Sequence, residues 1–240
     1  MTQELNFYRR AWDAKPVLRA VYGDYFDRIA RQCVAGPTLE IGSGIGNFKE
    51  KMANVWASDI QFGASLDLVA DAQRLPFPTA SLGNVVMLDA LHHVEWPLLF
   101  LRETARVLRS GGRIVMVEPA ITLGSTLFFR CFHRERVSMS VDPLMEGSPR
   151  ADRDPYDSNQ AIPTLIATNF RDRLHELIPE LRIGEVGWFS FLAWPLSGGF
   201  QRWSLMPRWA VAPILRVERL FEPALGRYFG FRMILVMEKQ

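Results

Sequence analysis

Along the 240 residues, apolar positions first recur at helical spacing. Phe7, Trp12, Val17, Leu18, Val21, Tyr22, Tyr25, Phe26 and Ile29 fall within 5–35, and Pro16 splits this stretch into two predicted helices. The pattern then changes. "GPTLEIGSG" reads as a turn, a buried strand near 38–42 and a glycine loop, and "FKEKMAN" as a short helix. "VWASDI", "LDLVAD" and "LGNVVMLDAL" read as three more strands, ending at Asp59, Asp71 and near Asp89. "PLLFLRETARVLRSGG" predicts an amphipathic helix stopped by glycine, followed by a fifth strand, "RIVMVEPA". "NFRDRLHELIPEL" predicts a further amphipathic helix, and "LRIGEVGWFSF" and "FGFRMILVMEK" two late strands.

Continuous apolar strands alternating with helices imply a parallel sheet buried on both faces, a doubly wound α/β layout. Ligands of such sheets sit beyond the carboxyl ends of the strands, where Asp59, Asp71 and Asp89 fall. Two stretches interrupt the alternation. Residues 119–160 are rich in Pro and Asp, and 191–229 in Trp, Phe, Pro and Arg. The expected organisation is one domain over 1–240. A helical cover spans 1–36 and a ligand-binding core 37–118, with two insertions, 119–160 and 191–229, that cover substrate or serve interaction.

Net charge is +2, which demands no nucleic-acid partner, and the apolar content suits a globular chain. Cys33 and Cys131 are far apart in sequence, so neither a disulfide framework nor a cysteine metal site is expected. No carboxylate cluster has metal-binding spacing. The first residues lack the apolar core of a signal peptide, and no run of about 18 apolar residues exists. The expected location is the cytoplasm, with peripheral membrane contact left open.

Gly42, Gly44 and Gly46 let backbone approach a ligand. A dinucleotide fingerprint needs glycine where Asn47 stands, and no Gly-Lys-Ser/Thr follows for a triphosphate loop. A carboxylate at Asp59 can accept both hydroxyls of a ribose, and one at Asp71 an exocyclic amine. Each Asp could equally be a cap or turn residue. Three such features, the glycine loop, Asp59 and Asp71, at the ends of three successive strands are harder to assign to turns.

The run 38–118 resembles the class I S-adenosylmethionine-dependent methyltransferases of the small-molecule group called type 11. The resemblance rests on "LEIGSGIGNF", "ASDI", "VADAQRLPFPTASLGNVVMLDALHHV" and "LRETARVLRSGGRIVMVEP". It implies a Rossmann-like doubly wound seven-stranded sheet with its last strand antiparallel, and S-adenosylmethionine as cofactor, released as S-adenosylhomocysteine. By position, Glu40, Gly42, Ser43, Gly44 and Gly46 would hold the methionine part. Asp59 and Ile60 would take the ribose, and Asp71 and Ala72 would border the adenine. Leu88, Asp89 and His92 would line the wall near the sulfonium. One departure stands out: only "IQFGASL" separates the second and third strands, where the family places a full helix.

For transfer to a hydroxyl a base helps, and histidine suits neutral pH. His92, His93 and His133 are the catalytic candidates, while His175 is expected on a helix surface. Glu118 ends the fifth strand, where it can bind substrate or satisfy backbone. Tyr8, Trp12, Tyr22, Glu118 and Phe129 are the expected acceptor contacts, suiting a hydrophobic or lipid-like acceptor methylated on oxygen rather than N or C. The Trp- and Arg-rich segment 191–229 reads three ways: lid or core, membrane-facing helix, or homodimer interface. A cofactor-binding protein without transferase activity is the alternative. No nucleic-acid acceptor is expected, because "DALHHV" stands where such enzymes carry an Asn-Pro-Pro-Tyr-like motif.

Overall fold

A computed structural model describes residues 3–132, 136–150 and 152–240. Its elements run α1 (Gln3–Ala14), α2 (Pro16–Gln32), β1 (Thr38–Ile41), β2 (Val55–Asp59), β3 (Leu68–Val69), β4 (Leu82–Leu88), α3 (Pro97–Val107) and β5 (Leu108–Pro119). Then come α4 (Leu123–Phe132), α5 (Ile162–Ala167), α6 (Arg171–Leu177), β6 (Leu181–Phe189), α7 (Ala193–Ser197), α8 (Arg208–Phe229) and β7 (Arg232–Lys239). Short 3-10 turns occupy Asn47–Glu50 and Leu91–His93.

The seven strands form one sheet in the order β3-β2-β1-β4-β5-β7-β6. The first five pair in parallel, and β7 runs antiparallel between β5 and β6. The order reverses between β1 and β4, which opens a crevice at their carboxyl ends. β1 and β4 are buried almost throughout, and β5 and β7 are buried over their apolar runs at 114–117 and 233–237. One face of the sheet packs through Leu39, Val85 and Ile114 onto Leu98, Leu101 and Ile166 of α3 and α5. The other packs through Val86, Val115 and Val236 onto Val21, Tyr25, Ile29 and Val211 of α2 and α8.

Several boundaries differ from the sequence reading. α3 ends at Val107, and β5 already starts at Leu108. The amides of Ala80 and Ser81 take the carbonyls of Arg106 and Val107, which a longer helix would have needed. β3 is two residues instead of six, and 60–67 contain no helix. β4 stops at Leu88 because Asp89 turns left-handed, with φ 54°. The stretch 119–160 contributes a helix, α4.

α8 runs through Pro213 and Pro223. It is held by charge pairs rather than propensity. Arg28 bridges to Glu222 at 2.6 Å, and Asp24 accepts from Arg28 and from Arg219. Buried Glu218 accepts the amides of Leu192 and Ala193 and so carries the start of α7. Gly226 permits this docking, since a Cβ there would stand 2.0 Å from the Trp188 carbonyl oxygen.

Candidate active site

The glycine loop follows β1 because its backbone must turn left-handed at the strand end. Gly42 and Gly44 have φ of 69° and 54°. A Cβ on Gly42 would lie 2.5 Å from Ala90 Cβ, whereas on Gly44 the nearest atom, Leu5 Cδ2, is 3.9 Å away. Gly42 is therefore fixed by packing and Gly44 by its openness to the crevice. The loop leads into a 3-10 turn of four residues rather than an α-helix. It therefore lacks the helix N-terminus on which a pyrophosphate would rest.

Carboxylates surround this loop. Asp59, at the end of β2, accepts the Gly44 amide on Oδ2 at 2.9 Å and the Gln61 amide on Oδ1 at 3.0 Å. An ionised carboxylate has about four acceptor directions, so both oxygens retain capacity for a diol. Asp71 accepts the Gln73 amide on Oδ1 at 2.8 Å. Glu40 is buried and accepts the Ser43 hydroxyl at 2.7 Å. Burial pushes its carboxyl up to about 7, with the Ser43 hydrogen bond opposing and the Asp59 charge adding. Asp59 and Glu40 beside the loop disfavour a pyrophosphate, and with Asp71 on the same cavity lining they offer acceptors to a ligand bearing N–H or O–H donors.

These groups open into a cavity of about 1170 Å³. It is larger than the roughly 300–1,000 Å³ usual for one ligand, which leaves space for a second molecule beside a cofactor. Its lining brings together Glu40, Gly42, Ser43, Gly44, Asp59, Ile60, Asp71, Ala72, Leu88, Asp89, His92 and His93, with Tyr8, Trp12 and Tyr22. Gly46, Glu118 and Phe129 stand off the lining. Gly46 packs against Ser65, and on α4 it is Phe128 that reaches the cavity while Phe129 is buried behind it. His133 lies outside the described residues. His175 is exposed on α6.

Glu118 has a defined task that sequence left open between two. It is fully buried beneath the fourth-strand turn. Its Oε1 accepts the amides of Ala90 and Leu91 at 2.9 and 2.8 Å, and its Oε2 meets His92 Nδ1 at 2.7 Å. Burial raises its carboxyl, but the His92 bond and charge with the two amides outweigh this and hold it below the usual carboxylate range. An ionised Glu118 puts the His92 proton on Nδ1 and the lone pair on Nε2. His93 packs against His92 with ring centres 4.2 Å apart and the ring planes tilted by 41°.

One feature was absent from the sequence reading. Arg232, at the start of β7, is buried on the cavity wall, 3.3 Å from Asp89, with its guanidinium 4.5 Å over the Trp194 ring. Tyr22 donates to the same carboxylate at 2.9 Å. α7 and the segment after it, part of the stretch 191–229 read from sequence as lid or core, membrane-facing helix or dimer interface, form the outer wall. Trp194, Leu196, Phe200, Trp203 and Leu205 line it, and Phe200 packs edge-on against Tyr8 and Tyr22 at 4.9 and 5.4 Å. Lys15 ties this segment to the N-terminal helices through the carbonyls of Gly199, Gln201 and Trp203, at 2.7–2.8 Å. Among the described residues no group of His, Cys, Asp and Glu could hold a metal ion, and no helix is long and apolar enough to cross a membrane.

Residues 39–116 match the methyltransferase domain family of type 11. The 27-O-demethylrifamycin SV methyltransferase of Amycolatopsis mediterranei is 33% identical over 88 residues, 36% of this chain and 32% of that protein. A Mycobacterium tuberculosis protein named "probable S-adenosylmethionine-dependent methyltransferase" is 30% identical over 108 residues, 39% of each chain. The matches thus span only about a third of the length of these curated relatives. A solved S-adenosylmethionine-dependent methyltransferase of Thermotoga maritima superposes with a TM-score of 0.56 at 14% identity, covering 98% of this chain and 96% of that one. That likeness is one of fold. The 39–116 core is thus similar to a methyltransferase domain, and the whole chain shares the fold of a solved S-adenosylmethionine-dependent methyltransferase.

Proposed function

We propose that the protein transfers a methyl group from S-adenosylmethionine to an oxygen of a hydrophobic or lipid-like small molecule. The observation that carries this reading is the buried Glu118–His92 pair facing an aromatic-walled cavity with space beyond the cofactor loop. Glu40, Ser43 and the glycine loop would hold the methionine part, Asp59 and Ile60 the ribose, Asp71 and Ala72 the adenine, and Leu88 and Asp89 the wall near the sulfonium. The cofactor supplies an electrophilic methyl group: a bond from acceptor oxygen to carbon forms as the carbon–sulfur bond breaks, its electron pair staying on sulfur.

The chain's own residues then have three tasks. His92 Nε2 takes the proton of the acceptor hydroxyl, and Glu118 stabilises the imidazolium that results. Tyr8, Trp12, Tyr22 and Phe128 bury the apolar body of the acceptor and orient its oxygen. The 194–205 segment, latched by Lys15, excludes water. The test is transfer of labelled methyl from S-adenosylmethionine into solvent-extractable product, using phenols, carboxylic acids and amines of matched apolar bodies. Product confined to amines would refute oxygen as the target.

A second reading concerns location. Leu220 of α8 is 78% exposed and Trp209 80%, while Leu123 and Leu127 of the adjoining α4 are 74% and 70% exposed. On α8, Pro213, Val217, Leu220, Ala224 and Tyr228 follow helical spacing, and Arg216 and Arg227 flank them. An apolar stripe bordered by arginine fits an anionic membrane surface, so we assign it to peripheral contact. Flotation with anionic but not neutral liposomes is expected. Failure to float with either, together with dimerisation in solution, would favour a homodimer instead.

A further inference from the structure

We propose that Arg232 is an oxyanion anchor of the acceptor site, so that the acceptor carries, besides the hydroxyl that is methylated, an ionised oxygen, a carboxylate or phenolate, on an apolar body. The inference rests on the reading of the cavity as an acceptor site and adds the acceptor's charge to it.

The argument starts from cost. An arginine with 5% of its surface exposed is expensive to bury, and a strand start facing apolar neighbours would hold an aliphatic residue more cheaply. Its partners offset that cost only in part. Nη1 donates to the Phe231 carbonyl and Nη2 to Asp89 Oδ2, both at 3.3 Å, which is long for a charge-assisted bond. Nε and Asp89 Oδ1 face one another at 3.3 Å in poor alignment, and both are buried without a hydrogen-bond partner among the described residues. Guanidinium presents five donors in a planar fork. The fork is thus under-used in a buried place, on the wall of a cavity, beside the residue that ends β4.

The surroundings explain why it stays put. Asp89 is fixed by its left-handed turn and by the Tyr22 hydroxyl. Trp194 covers one face of the guanidinium at 4.5 Å and is itself stacked on Phe231 at 5.6 Å. A cation held flat against an indole, with donors directed along its edge, matches a planar carboxylate or phenolate whose ring continues among Trp12, Tyr22 and Phe200. The three acids, Glu40, Asp59 and Asp71, line the cofactor side of the same cavity, so its two ends differ in the charge they recognise. A bound anion would meet the guanidinium where Arg232 lines the cavity, taking donors that the long bonds to Phe231 and Asp89 leave incompletely used.

The test uses two probes that differ only in charge, 2-naphthoate and 2-naphthylmethanol. Each is titrated calorimetrically at neutral pH into the full chain saturated with S-adenosylhomocysteine. The expected result is about tenfold or tighter binding of the anion, as for one charge-assisted hydrogen bond. In Arg232→Gln the ratio of the two affinities should fall to about one, whereas Arg232→Lys, which keeps the charge, should retain part of the preference. Equal affinities in the native chain, binding of neither probe, or a preference that survives in Arg232→Gln would overturn the anchor. Saturation by S-adenosylhomocysteine is measured first. Its failure would refute the cofactor reading separately from the anchor.

Discussion

Asp59→Ala tests the cofactor loop most sharply, because Asp59 has two roles that separate by assay. It clamps the Gly44 and Gln61 amides at 2.9 and 3.0 Å, and it is the proposed acceptor for the ribose. Both amides border the cavity and can find water, so the fold should lose only about 1–2 kcal/mol, read as a modest drop in melting temperature without cofactor. The binding loss should be larger. A hydrogen bond to a charged group contributes about 1.5–3 kcal/mol, and each 1.4 kcal/mol is tenfold. S-adenosylhomocysteine should therefore bind about ten- to a hundredfold more weakly, with more loss if both hydroxyls are held. Asp59→Asn should fall between, since its amide can accept only through one oxygen. Unchanged affinity in Asp59→Ala would place the ribose elsewhere, and the reasoning that runs from the end of β2 to the cofactor would fail.

Three further outcomes follow from the geometry. Glu118→Gln should keep the Ala90 and Leu91 bonds but present an N–H to His92 Nδ1, moving the ring proton to Nε2; nitrogen-15 shifts of His92 report the tautomer, and turnover should fall by about 10²–10⁴-fold while S-adenosylhomocysteine affinity holds. A His92 tautomer unaffected by the change would remove the base. Glu40, raised to about 7 by burial, is largely protonated below that pH; if it must ionise to hold the cofactor ammonium, affinity rises from pH 6 to 8 with proton release, seen as a buffer-dependent binding enthalpy, and a flat profile would exclude it. The same elevation means that its contribution to fold stability declines as pH climbs from the ordinary glutamate range to about 7. Gly226→Ala puts a methyl 2.0 Å from the Trp188 carbonyl and should detach α8 from β6, lowering the melting temperature sharply; a native melting curve would contradict the close packing.

The parts of the fold that sequence showed were those encoded locally. β1, β2, β4 and β5 carry apolar runs, and the glycines and strand-end acids follow them in register, so the glycine-loop wall of the cavity was visible. The opposite wall was not, because it is assembled from distant pieces. Arg232 reads in sequence as one basic residue opening an apolar strand; only the return of β7 between β5 and β6 brings it to Asp89. Glu118 faces inward because the turn at Asp89–Leu91 folds over it, a direction that alternation along β5 could not give. Phe128 and Phe129 exchange places by the phase of α4, a matter of one residue. α8 passes two prolines because Asp24 and Arg28 of α2 hold its Arg219 and Glu222, and the Leu192 and Ala193 amides hold its Glu218. A clue to Arg232 was present, since an arginine in a strand otherwise free of charge until Glu238 has a partner to explain.

The central claim is that the loop after β1 holds S-adenosylmethionine for methyl transfer. Calorimetric titration of the protein with S-adenosylmethionine, S-adenosylhomocysteine and NAD, side by side, tests it most directly. Saturable binding of the first two and none of NAD is the result predicted by three acids around a glycine loop that ends in a 3-10 turn. Binding of NAD alone, or of none of the three, would contradict it.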